Sequence, residues 1–511
     1  MIRILSRQPI VSLKNVDCLR RMRCHSTVAL ESYVNDDNMQ YEEPADEEAK
    51  RELYRLRRLR NVGILAHVDA GKTTVTERML ALAGVVRQAG SVDDGNTTTD
   101  FLPAERERGI TIQSAAISFP WGWHNHSHFH YPTISKIEMN SSSDVDIHLI
   151  DTPGHVDFSV EVNRSVAVLD GAILVVDAVA GVQAQTETVW RAMTRTTMLA
   201  DKNEEDHAHE PLPCVAFVNK MDQEGHHFAN ALESLRNKLP GANPISLQLP
   251  LFRCELSATG NDSNDNLIAV GLCKSEEMPR GKFVGIVDLV HMRAVVYPEP
   301  PGTTVEANVP TVIPLVDCET HHPLDPTCSM TQAAMKGRRD LIAALANVDD
   351  FMEECYLMEE QPSNAELNAA LRRATLARTI LPVLAGAALK GRGIEPLLDC
   401  VADLLPSPLD RLPPSLTQSG NEDQKQDDSI SKSVKPVLGH ALHSELLALA
   451  FKVVHQKNRG RVVYCRVYSG RIKDKDQLLI TSPGGESPSR IERVGGMLEL
   501  AAGGRLNQIF E

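Results

Sequence analysis

No stretch of about 18 unbroken apolar residues occurs in the 511 residues, so no membrane-spanning helix is expected. Paired CxxC cysteines are missing too. The ten cysteines (Cys18, Cys24, Cys214, Cys254, Cys273, Cys318, Cys328, Cys355, Cys400 and Cys465) are scattered, which argues against a zinc site or a disulfide framework and fits a reducing interior. Nor is there a surplus of positive charge. The formal net charge of −15 speaks against bulk, non-specific nucleic-acid binding, while leaving room for a local basic contact surface. No internal repeat is found. What is present is an ordinary globular composition, 42% hydrophobic and 24% charged, with enough apolar residues for real cores in about two to four domains.

The first residues read differently from the rest. Arg3, Arg7, Lys14, Arg20, Arg21 and Arg23 are interspersed with Ile2, Ile4, Leu5, Ile10, Val11 and Leu13, and Asp17 is the only acid among them. A secretory signal would need a continuous apolar core. This Arg-rich, acid-poor pattern instead predicts a mitochondrial transit peptide over residues 1–35, the bland alternative being a basic tail. A charged leader follows over 36–59: an acidic stretch at 42–48, then a basic helical run over 51–60.

Five short apolar runs have the length of buried parallel strands: 62–66, 145–150, 172–176, 214–218 and 380–385. Helix-like segments at 74–83, 186–193 and 229–239 alternate with them. The alternation predicts an α/β fold with a doubly wound, mostly parallel sheet, whose ligands sit beyond the carboxyl ends of the strands. Polar or Pro-rich segments at 121–143, 258–279 and 300–326 look like insertions, and 409–445 reads as a polar linker. From 446 to 511 the pattern changes to successive antiparallel strands, the start of a β-barrel that stops at Glu511.

Chemistry concentrates after four of the five strands. AHVDAGKTT (Ala66, His67, Val68, Asp69, Ala70, Gly71, Lys72, Thr73, Thr74) fits the phosphate-loop template GxxxxGK[ST], except that Ala66 replaces the first Gly. Gly71 lets backbone amides turn toward phosphates, Lys72 supplies a cation for the β- and γ-phosphates, and the Thr73 hydroxyl can ligate Mg²⁺. DTPGH follows the next strand (Asp151, Thr152, Pro153, Gly154, His155). Asp151 can hold Mg²⁺ through water, and the Pro153–Gly154 turn can bring an amide to the γ-phosphate. On its own this would be an ordinary capped turn; downstream of a phosphate loop it reads as a nucleotide switch.

NKMD (Asn219, Lys220, Met221, Asp222) comes after CVAFV. The Asp222 carboxylate can accept both donors of a guanine edge, which adenine lacks, and an unpaired buried acceptor costs about 1–3 kcal/mol. Lys220 can lie along the base, and Asn219 can tie this loop to the phosphate loop. In GAALK, the amides of Ala387, Ala388 and Leu389 can meet the guanine carbonyl, although alone the segment is only a helix start. Between the first two motifs, ERERGITI (105–112) offers Thr111 as a second hydroxyl ligand of Mg²⁺, against a plain charged surface segment. His124, His126, His128 and His130 alternate within WHNHSHFH and could hold Zn²⁺ or Cu²⁺, but no acid or cysteine supports them, and a polar insertion is the simpler account.

The four motifs in this order, together with RGITIQSAA (108–116) and IDTPGHVDF (150–158), resemble the elongation factor G family of translational GTPases. Within it, GSVDDGNTTTDFLPAERERGITIQSAA (90–116) and FKVVHQKNRGRVVYCRVYSG (451–470) are similar to the mitochondrial ribosome-releasing branch. The resemblance runs from about residue 60 to 480. It implies a P-loop GTPase domain over 60–408 with an inserted α+β subdomain at about 241–378, then the barrel. It also implies GTP hydrolysis by in-line attack of water, with catalysis mainly by positioning and charge. Asp69 matches the family's phosphate-loop Asp near the β–γ bridge. His155 matches the histidine that orients the attacking water once large-subunit rRNA holds it.

The implied setting is the mitochondrial matrix, with the mitochondrial ribosome and ribosome recycling factor as partners and ribosome disassembly after termination as the task. Two alternatives stay open: a translocating mitochondrial elongation factor G, and a truncated GTP-binding module that splits no ribosomes. Ala387 stands where the family usually has Ser, which implies modest loosening of a backbone contact. The family continues for three further domains, so a C-terminally truncated chain is expected.

Overall fold

The computed structural model describes residues 2–5, 47–90, 97, 114–122, 144–153, 159–194, 211–254, 267–269, 281–299, 308–317, 322–411, 446–456, 460–481, 489–500 and 506–508. Among them are three sheets. The largest has seven strands in the order β3-β4-β2-β5-β6-β13-β7. These are β2 (Leu59–Ala66), β3 (Ala115–Trp121), β4 (Val145–Asp151), β5 (Gly171–Asp177), β6 (Cys214–Asn219), β7 (Pro244–Ser246) and β13 (Leu381–Ala385). Every pairing is parallel except β3 with β4. All five strands read from apolar runs are in this sheet.

The reason is burial on both faces. In β5, Ile173 and Val175 join one apolar core, while Ala172, Leu174 and Val176 join the other. A strand covered on both sides by helices must be continuously apolar. The helices include α2 (Lys72–Leu82), α3 (Ser159–Val166), α4 (Ala184–Thr194), α5 (Phe228–Lys238) and α9 (Ile394–Leu404). The basic run expected to be helical through residue 60 ends sooner: α1 is Glu47–Arg58, and Arg60 already belongs to β2.

The polar segment expected from Trp121 onward also starts later. Trp121 closes β3 opposite Val145, is 1% exposed, and donates its indole N–H to Asp399 Oδ1 at 3.0 Å. The His-rich run itself lies outside the described residues. The second sheet, β12-β11-β10-β8-β9, is antiparallel. It comprises β8 (Gln248–Cys254), β9 (Leu267–Ala269), β10 (Gly281–Asp288), β11 (Arg293–Val296) and β12 (Thr311–Pro314), so two segments read as insertions each contain a strand. Helices α6 (Ser329–Ala346), α7 (Asp350–Leu357) and α8 (Asn364–Leu376) follow it.

The third sheet, also antiparallel, holds β14 (Leu447–Gln456), β15 (Gly460–Ser469), β16 (Gln477–Ile480), β17 (Arg490–Leu500) and β18 (Leu506–Gln508), and between β15 and β17 it takes in β1 (Ile2–Leu5), a strand inside the stretch expected to be a separate leader. It is fastened to the first sheet by polar contacts. Arg466 in β15 pairs with Asp170 at 2.6 Å and donates to Val168 O at 2.7 Å, and Asn61 Nδ2 donates to the other oxygen of Asp170 at 2.8 Å. Lys452 in β14 donates to Ser114 O, and the Ser114 hydroxyl donates to Glu161 on α3 at 2.7 Å.

Candidate nucleotide site

The loops after β2, β4, β6 and β13 meet at the carboxyl edge of the first sheet. The first runs from Ala66 through His67, Val68, Asp69 and Ala70 to Gly71, which caps α2 with φ +87°. A Cβ on Gly71 would come within 2.4 Å of Asn219 Nδ2, so only glycine fits there. Asp69 is left-handed as well, with φ +62°, and gives the loop its concave turn. Val68 N donates to Gln185 Oε1 at 3.0 Å, which fastens the loop to α4. His67 is buried, and Nδ1 has no hydrogen-bond partner among the described residues. Burial holds its pKa below the usual histidine value against the opposing pull of Asp177.

Lys72, Thr73 and Thr74 form the first turn of α2, with the Lys72 ammonium 2.8 Å from Asp151 Oδ1. Both of these side chains are buried, at 7% and 0% exposure. Thr152 is buried beside them and donates its hydroxyl to Ile64 O at 2.9 Å, so the start of the DTPG turn is pinned to β2. Pro153 follows as the last described residue of that turn. Gly154, His155 and Thr111 lie outside the described residues.

Asn219 joins three loops. Its Nδ2 donates to Ala70 O at 2.9 Å, and its Oδ1 accepts from Ala388 N at 2.9 Å. The side chain is 2% exposed, so both bonds are made away from water. Met221 N donates to Gly386 O at 3.1 Å, a second tie between NKMD and GAALK. Ala387 N donates to Arg392 O at 2.9 Å, and Arg78 reaches from α2 to Leu389 O at 2.8 Å. The Ala387 and Ala388 amides are thus engaged within the protein, and a guanine carbonyl would have to share them. Asp222 is half-buried, and its carboxylate accepts no hydrogen bond among the described residues, leaving it available to an incoming donor pair.

Two neighbours of the site were not read from the sequence. Gln185 is one. The other is Asp177, the last residue of the fifth strand, whose carboxylate holds Lys220 Nζ at 2.7 Å. The available signal was a carboxylate at a strand end, the same signal that singled out Asp151. Among the described residues no group of three or more His, Cys, Asp or Glu side chains is arranged to hold a metal, and no helix is long and apolar enough to cross a membrane. A Mg²⁺ held by hydroxyls, phosphate and one carboxylate needs no such cluster, and Thr73 at the start of α2 with Asp151 beside Lys72 is a donor set of that kind.

Residues 57–407 match the sequence profile of the elongation factor Tu GTP binding domain. The chain is 37% identical over 455 residues to elongation factor G of Petrotoga mobilis, covering 89% of this chain and 52% of that protein. It is also 37% identical over 441 residues to elongation factor G of Fervidobacterium nodosum, covering 86% and 50%. Against the mitochondrial ribosome-releasing factor 2 of Danio rerio it is 38% identical over 425 residues, covering 81% and 43%. The chain spans about half the length of the curated relatives it matches. Its fold is like that of a crystal structure from Thermus thermophilus, with TM-score 0.59 and 23% identity over 89% of this chain and 50% of that one. With that profile matched across the whole parallel sheet and its four loops, the chain belongs to the translational GTPases of the elongation factor G family.

Proposed function

We propose that the protein is a mitochondrial GTPase that works with ribosome recycling factor to separate ribosomal subunits after termination, coupled to GTP hydrolysis. The GTP-binding part of this reading is carried by Asn219, which joins the phosphate loop to the two loops that would read guanine. The recycling part is supported by the 38% identity to a protein named ribosome-releasing factor 2 and by the segment over 90–116.

In this reading the amides from His67 to Thr74 cradle the phosphates, and Lys72 leaves Asp151 to meet them. Thr73 and Asp151, with Thr111, are the residues that would hold Mg²⁺, whose charge would offset that developing on the phosphates. The Gly154 amide contacts the γ-phosphate, and His155 orients the attacking water. Asp222 accepts from the guanine edge, the Lys220 stem lies along the base, and the segment Ala387 to Leu389 closes the slot. Residues 1–35 serve as the leader into mitochondria.

The 37% identity to two elongation factor G proteins favours a second reading, translocation along mRNA. A third reading is a GTP-binding module that acts on no ribosome. Mitochondrial ribosomes supplied with recycling factor and GTP separate these. Subunit separation followed by light scattering, without peptidyl-tRNA translocation, is the expected result. Translocation without separation moves the assignment to the second reading, and GTP binding with neither moves it to the third. A reporter fused to residues 1–35 that stays in the cytosol would remove the mitochondrial assignment.

A further inference from the structure

The sequence motifs give Asp177 no role, yet it sits at the end of β5 in register with Asn219 at the end of β6. Its two oxygens have separate tasks. Oδ1 accepts from the amides of Val179 at 2.7 Å and Ala180 at 3.2 Å, which fixes the turn after the strand. Oδ2 accepts from Lys220 Nζ at 2.7 Å. Lys220 is itself left-handed, with φ +67°, a conformation that residues other than glycine adopt rarely and only when their surroundings hold it. Three backbone bonds brace it: Ala178 N to Asn219 O at 2.9 Å, Gln223 N to Lys220 O at 3.1 Å, and Met221 N to Gly386 O at 3.1 Å.

Those bonds fix the Lys220 backbone; the ion pair fixes the far end of its side chain. The pair is mostly shielded from water, with side-chain exposures of 21% for Lys220 and 9% for Asp177. Burial alone would push the Asp177 carboxyl up, but the bonds from Lys220, Val179 and Ala180 outweigh it and hold the group below the usual carboxylate range. Asp177 is therefore charged at neutral pH, and the bond is charge-assisted at both ends.

We propose that Asp177 is a positioning residue for guanine-nucleotide recognition: by anchoring Lys220 Nζ, it lays the lysine stem along the slot whose edge reader is Asp222. The proposal rests on the GTP-binding reading above. Asp177 touches no nucleotide in this scheme. Its effect is to settle Lys220 before binding, so that less rotamer freedom is lost when a purine packs on the methylenes.

Equilibrium binding of a fluorescent GDP to the whole chain, alongside thermal melting, tests this. Asp177→Asn keeps an oxygen for the two amides and loses the charge facing Lys220. It is expected to weaken GDP about tenfold, as is Lys220→Met, and the double variant is expected to lose no more than about tenfold because the two side chains act as one unit. Lys220→Arg keeps a cation in reach of Asp177 and should lose less affinity than Lys220→Met, but only while Asp177 is present. Unchanged affinity in D177N, or losses that multiply to about a hundredfold in the double variant, overturns the proposal. If D177N fails to fold, K220R against K220M decides, and equal losses overturn it. A native chain that binds neither GDP nor GTP overturns the nucleotide-binding reading itself, and this proposal with it.

Discussion

Lys72 Nζ lies 2.8 Å from Asp151 Oδ1, with both side chains buried. The cation expected to serve a phosphate is thus paired with the carboxylate of the next motif. Removing the cation takes away what offsets a buried negative charge, a change that costs roughly 3 kcal/mol or more. Lys72→Met is therefore expected to lower the stability of the nucleotide-free chain as well as GTP affinity. Denaturant unfolding and nucleotide titration measure the two losses. A variant that loses affinity at unchanged stability would show that the pair contributes nothing to the folded state.

Asp222 offers the contrasting case, a half-buried carboxylate that accepts no bond among the described residues. Asp222→Asn is expected to weaken GTP roughly tenfold or more, the equivalent of one unpaired donor on the guanine edge, and to improve xanthosine triphosphate binding. Asn can donate where xanthine presents a carbonyl oxygen, whereas Asp only accepts. Competition between the two nucleotides is the measurement. Identical preferences in variant and native chain would remove Asp222 as the base reader.

His155 lies outside the described residues, two positions past Pro153 in the sequence. A side chain that acts on the attacking water matters in the transition state and little to ground-state binding. His155→Ala, in a version carrying any further domains, should keep GTP affinity within a few-fold and lose ribosome-stimulated turnover by roughly 10²-fold. Intrinsic turnover should change much less. Parallel losses in affinity and turnover would make His155 a structural residue of its turn.

His148 in β4 gives a pH dependence. Burial first, and Arg55 second, push its pKa from 6.5 down to about 4. The unfolded chain therefore takes up this proton first as pH falls. Stability is intact above pH 6.5 and declines as pH drops from there toward 4. Between pH 7 and pH 5 the decline from this residue is roughly 2 kcal/mol, less where solvent reaches the ring. His148→Gln should flatten that part of the curve in urea unfolding at the two pH values. An unchanged slope would show that His148 is not the group responsible.

The sheet was legible because strands buried on both faces cannot alternate, and β2, β5, β6 and β13 read as unbroken apolar runs, while β4 kept Val145, Ile147, Leu149 and Ile150 around Asp146 and His148. β3 was not. Its inward residues Ala115, Ile117, Phe119 and Trp121 alternate with more open ones, and Pro120 argues against a ladder. The strand tolerates proline because it lies at the sheet's edge. β12, inside a Pro-rich segment, escaped notice for the same reason. In the site, Asp151 was legible by its neighbours DTPG, whereas Asp177 has an ordinary context. A lone carboxylate after a strand has many uses, and only its 2.7 Å bond to Lys220 picks out one.

The Asn219 amide has a consequence for cooperativity. Because one side chain bonds both Ala70 and Ala388, ordering either loop removes freedom from the other, and the entropy of fixing the second is partly spent when the first is fixed. The two halves of a nucleotide are then coupled through the protein as well as through their own covalent bond. Pyrophosphate, settling on the phosphate loop, would make the base slot more receptive to guanosine, and guanosine would return the same factor to pyrophosphate.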